Sequence, residues 1–172
     1  MEREPKPQVR KRDPAFPSPG AVSIVSHEQP AGVPHSDFSV GGLPLQIELS
    51  FPGQWENLKD KEFDVINLWR PLHGPNFDWP LTLLDFASVE PDDMILNDDL
   101  HRDRAMENTL LHFNEKHRWY FVNGQTVDDV LVFRIVDSTG KRARGFHCAA
   151  NNPNTPPGQM RTSIEIRIVA VR

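Results

Sequence analysis

A single cysteine, Cys148, stands among the 172 residues, so the chain holds no internal disulfide framework. That usage points to a reducing compartment, with the cytoplasm as the expected location. No run approaches the ~18–20 consecutive apolar residues that a membrane span requires. The opening MEREPKPQVRKRDP is charged and lacks an apolar core, which excludes a secretory signal there. Positive charge is also in short supply: 19 Lys and Arg against 24 Asp and Glu give a formal net charge of −5. Nucleic-acid binders need a basic surface to displace counterions, so nucleic acid is excluded as a partner. The one basic cluster, Lys6 to Arg12, lies among prolines and reads as a solvated tail.

What the chain does have is proline, sixteen of them, spread between short apolar runs. Such punctuation suits a loop-rich β protein better than a helical bundle. Residues 1–19 are Pro-rich and polar and read as a disordered tail, leaving 20–172 as one domain. Strand patterns fall at 21–27, 33–39, 43–50, 63–70, 80–89, 108–113, 117–123, 128–138, 142–150 and 161–171. A short helix fits 52–63, and the acidic stretch 90–106 reads as a loop or irregular helix. The expected class is mainly β, a jelly roll or double-stranded β-helix with one or two short helices.

The segment VPHSDFS places His35 and Asp37 at i, i+2, a spacing that on a strand turns both side chains to the same side. With seven His and fourteen Asp in 172 positions, about half a His-x-Asp is expected by chance. The chain has two, the second being His101-Arg102-Asp103 in a dense charge run that reads as a solvated loop. His35 and Asp37 sit instead in an apolar, strand-like run, where a half-buried His and Asp need partners and a cation supplies one. His147, on another strand, completes a two-His-one-carboxylate set, the facial triad that leaves positions open on Fe(II).

The last strand carries the fourth element of this pattern. Alternation puts Thr162, Ile164, Ile166 and Ile168 on one face and Arg161, Ser163, Glu165 and Arg167 on the other. That polar face is either the solvent side or the lining of a polar barrel mouth, where arginine forks suit a carboxylate. Glu165, between the two arginines, reads as their ion-pair partner. From the residues alone, the metal reading and a purely structural one both stay open. Asn67 and Trp69 share a strand face and are candidate pocket residues. Trp119 and Tyr120 are expected in the core, and His112 and His117 at packing or surface positions.

The phrases VINLWRPLHGP (65–75), PLTLLDFASV (80–89), HFNEKHRWYFVNGQTVDDVLVFRIVDS (112–138), GFHCAANNP (145–153) and RTSIEIR (161–167) resemble, in order, a fungal and bacterial secondary-metabolism family. This is the group of the gibberellin desaturase, the CmcJ-like proteins and the AsaB-type hydroxylase/desaturases. The resemblance implies a non-haem Fe(II)/2-oxoglutarate-dependent oxygenase on a double-stranded β-helix, hydroxylating or desaturating a small natural product. It implies His35, Asp37 and His147 as iron ligands, and Arg161, Ser163 and Arg167 as candidates for the 2-oxoglutarate carboxylate. Members carry more sequence ahead of the His-x-Asp than the 34 residues present here, and other residues are usual at Phe38 and Cys148. A metal-independent cyclase on the same scaffold, Diels–Alderase-like, is the alternative. The expected partner is a small-molecule substrate; the oligomeric state is left open, a homodimer being one option.

Overall fold

The computed structural model describes residues 7–13, 28–100, 102 and 105–172. The strand expected at 21–27 and the pair His101 and Asp103 lie outside them. Among the described residues, ten strands form two antiparallel sheets. The first sheet contains β1 (Gln8–Lys11), β10 (Thr162–Val171), β3 (Phe63–Pro71) and β8 (Leu131–Asp137), in that spatial order. The second runs β5 (Met94–Leu100), β6 (Ala105–Leu111), β2 (His35–Ser36), β9 (His147–Ala149), β4 (Leu81–Leu84) and β7 (Trp119–Tyr120). Apolar side chains of both sheets and of one helix fill the space between, with Phe63, Val65, Trp69, Phe133, Ile135 and Leu81 among them. The arrangement is the expected jelly roll. No helix among the described residues is long and apolar enough to cross a membrane.

β3 sits between β10 and β8, and its buried residues form a nearly continuous run, as a central strand demands. Ser36 is fully buried and its hydroxyl donates to the Ile135 carbonyl at 2.6 Å, tying β2 of the second sheet to β8 of the first. That bond fixes how closely the two sheets approach beside His35.

Five expectations are corrected. Residues 43–50 alternate like a strand, yet Leu43–Ser50 is a helix, α1. Pro44 lies in its first turn, where the missing N–H costs nothing, and the buried Leu43, Gln46 and Ile47 follow helical spacing. Within 52–63 only Trp55–Leu58 is helical, as α2. The acidic stretch 90–106 holds a short 3-10 turn and then β5, because an edge strand against β6 tolerates, and is protected by, exposed charge. The tail assigned to 1–19 contains β1, which pairs with β10 from Gln8↔Glu165 to Lys11↔Thr162. Tyr120, expected in the core, is 59% exposed, since β7 is only two residues long and closes the open edge of its sheet.

Away from the sheet interface, Asp64 is nearly buried and ringed by three arginines. Arg172 Nη2 lies 2.6 Å away, Arg134 Nε 2.8 Å and Arg142 Nη1 3.4 Å. Burial pushes the Asp64 carboxyl up, but these cations outweigh it and hold it below the usual carboxylate range. The ion pairs therefore stabilise the fold above the unfolded carboxylate value of about 4 and lose that contribution as pH falls below it. The arginines are partly exposed, so Asp64→Ala is expected to cost about 2 kcal/mol at pH 7, or roughly 4–8 °C in Tm. Thermal unfolding at pH 7 and at acid pH should show the gap between variant and wild type closing on acidification. A gap of equal size at both values would assign the loss to packing instead.

Candidate functional site

His35 and His147 are direct register partners across β2 and β9, with ring centroids 4.5 Å apart. Asp37 follows β2 by one residue and keeps the same side as His35, while Ser36 between them points away to β8. One ligand atom from each of His35, Asp37 and His147 lies within 4.8 Å of the other two. His35 Nε2 is 3.4 Å from Asp37 Oδ1, and His147 Nε2 is 3.7 Å from Asp37 Oδ2. Ligands bound at about 2.0–2.2 Å to one ion sit about 3 Å from their neighbours, close to both separations.

The tautomers suit a metal as well. His35 Nδ1 faces the Val33 carbonyl at 2.7 Å, and His147 Nδ1 faces the Gly145 carbonyl at 3.0 Å. Each backbone oxygen accepts from Nδ1–H and so leaves Nε2 as the lone-pair nitrogen turned inward, the usual outer support of a metal-binding imidazole. Burial pushes His147 down to about 4, so it is neutral at physiological pH. For His35 burial acts in the same direction, but the Asp37 carboxylate and the Val33 carbonyl outweigh it and raise the value. Asp37 is held well below the carboxylate range, because Arg167 and the two histidines outweigh its burial. This donor set, two imidazoles and one carboxylate, fits a first-row divalent metal.

The facing wall comes from β10, and its inside is the polar face. Arg161 and Ser163 are 2% and 1% exposed, whereas Ile166 and Ile168 on the other face are 41% and 42% exposed. Arg161 lies over the Trp69 ring at 4.7 Å, donates from Nε to Ser163 Oγ at 3.1 Å, and donates from Nη1 to the Trp79 carbonyl at 2.7 Å. Trp79 has φ 41°, a left-handed conformation that costs a bulky residue about 1–3 kcal/mol and tends to persist where it serves a site. Two of the five guanidinium donors are thus taken, and Arg161 makes no carboxylate ion pair among the described residues. Burial pushes it down to about 9. A guanidinium placed so, at the wall of a cleft shared with the His/Asp/His cluster, has donors that suit an anion.

Arg167 occupies a different place from Arg161. Its Nη2 donates to Glu165 Oε1 at 3.0 Å and lies 3.2 Å from Asp37 Oδ2, while Nε donates to Asn67 Oδ1 at 3.1 Å. Glu165 is therefore the partner of one arginine and not of both. Burial first, and then the Asp37 charge, pushes Glu165 up to about 7. Trp69 reaches the cleft, as expected, but Asn67 lies fully buried behind Asp37 and donates to its Oδ2 at 2.9 Å. Among the cleft residues that escape sequence reasoning are Gln8 and Arg10 of β1. Their run of four residues, closed in by Pro7 and Pro14, is too short for an alternation signal to stand out from a tail.

Similarity to known proteins agrees with this geometry. The Aspirochlorine biosynthesis protein N of Aspergillus oryzae is 33% identical over 132 residues, 73% of this chain and 55% of that protein. The Fe(II)/2-oxoglutarate-dependent dioxygenase nvfI of Aspergillus novofumigatus is 31% identical over 146 residues, 81% of this chain and 51% of that protein. The chain thus spans about half the length of these relatives. The solved structure of the iron and alpha-ketoglutarate-dependent endoperoxidase NvfI superposes with a TM-score of 0.79 at 25% identity, covering 96% of this chain and 60% of that one. A family model described as the Oxidoreductase/YMDC permease-like domain matches residues 6–171, all but the ends of the chain. With its fold shared and nearly its whole length matched, the chain belongs to that oxidoreductase domain family.

Proposed function

We propose that this chain is a non-haem Fe(II)/2-oxoglutarate-dependent oxygenase that hydroxylates or desaturates a small secondary metabolite. The observation that carries the reading is the convergence of two Nε2 atoms and one carboxylate beside a buried guanidinium that makes no carboxylate ion pair among the described residues. The relatives named as a 2-oxoglutarate-dependent dioxygenase and as an iron-dependent endoperoxidase support it. His35, Asp37 and His147 would hold the iron. Arg161, backed by Ser163 and Trp69, would take the far carboxylate of 2-oxoglutarate through its free N–H donors. Arg167, already engaged with Asp37, Asn67 and Glu165, is left out of that role. Bound Fe(II) would supply activation of O₂ coupled to oxidative decarboxylation of 2-oxoglutarate. The protein's own part is to orient these groups and to keep water from a site walled by Trp69 and Leu81. With its lone cysteine free and buried, the chain suits a cytoplasmic biosynthetic role.

Anaerobic addition of Fe(II) and then 2-oxoglutarate is expected to give a visible charge-transfer band, and His35→Ala to abolish it while the protein stays folded. A folded wild type with no band, or substrate turnover that survives a chelator, would overturn the oxygenase reading in favour of the metal-independent cyclase.

A further inference from the structure

The two oxygens of Asp37 have unlike surroundings. Oδ2 accepts from Asn67 Nδ2 at 2.9 Å and lies 3.2 Å from Arg167 Nη2. Oδ1 lies 3.4 Å from His35 Nε2, and no side-chain amide or guanidinium donates to it among the described residues. The Asn67 amide is held in one orientation, because Arg167 Nε donates to its Oδ1 at 3.1 Å and so turns Nδ2 toward Asp37. Arg167 is held in turn by Glu165 Oε1 at 3.0 Å and by the Phe38 ring 5.0 Å beneath its guanidinium. Asn67 and Arg167 are direct register partners across β3 and β10, so the backbone itself sets them side by side. Asn67 is fully buried. An apolar residue of that size would serve the core as well, so the amide answers to its two polar neighbours.

We propose that Asn67 and Arg167 are positioning residues that occupy the Oδ2 oxygen of Asp37 and restrict its carboxylate to one metal bond, through Oδ1. The proposal rests on the metal reading above and assigns these two residues a role within it. A carboxylate bound through both oxygens takes two coordination positions, whereas a facial triad must leave three of about six open. Two donors, one of them cationic, compete with the metal for the lone pairs of Oδ2. This role also separates Arg161, just ahead of β10, from Arg167 within it: Arg161 faces the incoming anion, and Arg167 stands behind the ligand.

Manganese(II) tests this without turnover, because free Mn(II) is counted by its EPR signal and bound waters by broadening in ¹⁷O-water. Wild type is expected to bind Mn(II), lose it in His35→Ala, and show about three coordinated waters. Asn67→Leu and Arg167→Gln should each weaken Mn(II) roughly 10–100-fold and lower the water count to about two. Their effects should be less than additive in the double variant, since both act on one oxygen. Arg167→Lys, which keeps the charge, should recover part of the affinity. Asp64→Ala, destabilised at a distant site, should bind Mn(II) within about twofold of wild type and so controls for general loosening. If Asn67→Leu does not fold, Arg167→Gln alone carries the comparison. Unchanged affinity and water count in a folded variant, beside His35-dependent binding in wild type, would overturn the positioning role and leave the metal site standing. Mn(II) binding that His35→Ala does not affect would overturn both.

Discussion

Arg161→Leu is expected to weaken 2-oxoglutarate by about 100-fold or more while changing metal affinity by less than about threefold. The size follows from cutting one side of a desolvated charge pair, which costs about 2–5 kcal/mol. The guanidinium is 2% exposed and, among the described residues, its hydrogen-bond and ring partners are the Ser163 hydroxyl, the Trp79 carbonyl and the Trp69 ring. Burial pushing it down to about 9 says the same thing: in the ligand-free site the charge is costlier to hold than in water. Leucine removes that cost, so the ligand-free variant should melt at or above the wild-type temperature. It should also lose the rise in Tm that 2-oxoglutarate gives wild type. Arg161→Lys keeps the charge but not the fork or the stacking on Trp69, and should fall between, roughly tenfold weaker. Calorimetric titration of the metal-loaded protein and thermal scans with and without 2-oxoglutarate decide the matter. A variant that melts lower yet still responds to 2-oxoglutarate would show Arg161 to be a structural residue.

The largest loss of metal should come from Asp37→Ala, with Mn(II) or Fe(II) affinity falling by at least about 1,000-fold. Removing a ligand costs more than the 10–100-fold of an outer partner. The charge balance also reverses. Asp37 is the sole anionic member of the cluster, and without it the Arg167 cation faces the two imidazoles uncompensated. Folding should survive, since Arg167 retains Glu165 and Asn67. The direction of one titration checks the electrostatics independently: His35, raised by Asp37 in wild type, should titrate lower in the variant, read from its ring-proton NMR signal. Metal binding within tenfold of wild type in a folded Asp37→Ala protein would exclude Asp37 as a ligand.

Much of this site was legible in linear order. The alternation of residues 161–171 identified β10 and separated Arg161, Ser163, Glu165 and Arg167 from the isoleucines, and i, i+2 spacing put Asp37 on the side of His35. Periodicity finds faces but carries no sign. On β10 the polar face is the interior one, because the opposing sheet offers a His/Asp/His cluster rather than an apolar layer, and the isoleucines are left outside. The same blindness hid α1: Leu43, Leu45, Ile47 and Leu49 alternate perfectly for a strand, and only packing against the core selected the helix that buries Leu43 and Ile47. It hid β1 as well, whose four residues become ordered by the edge of β10 and not by their own pattern.

By itself, then, the sequence determined the class of fold, the residues able to bind a metal and the strand bearing the arginines. These depend on local spacing and residue chemistry, which survive in a linear reading. Only the tertiary structure decided which arginine meets carboxylates and which one lies on an indole. That division depends on what lies opposite each guanidinium: for Arg161 a carbonyl, a hydroxyl and an indole, for Arg167 two carboxylates and an amide. Those neighbours are separated from the arginines by up to 130 residues of chain, and no period along β10 encodes them.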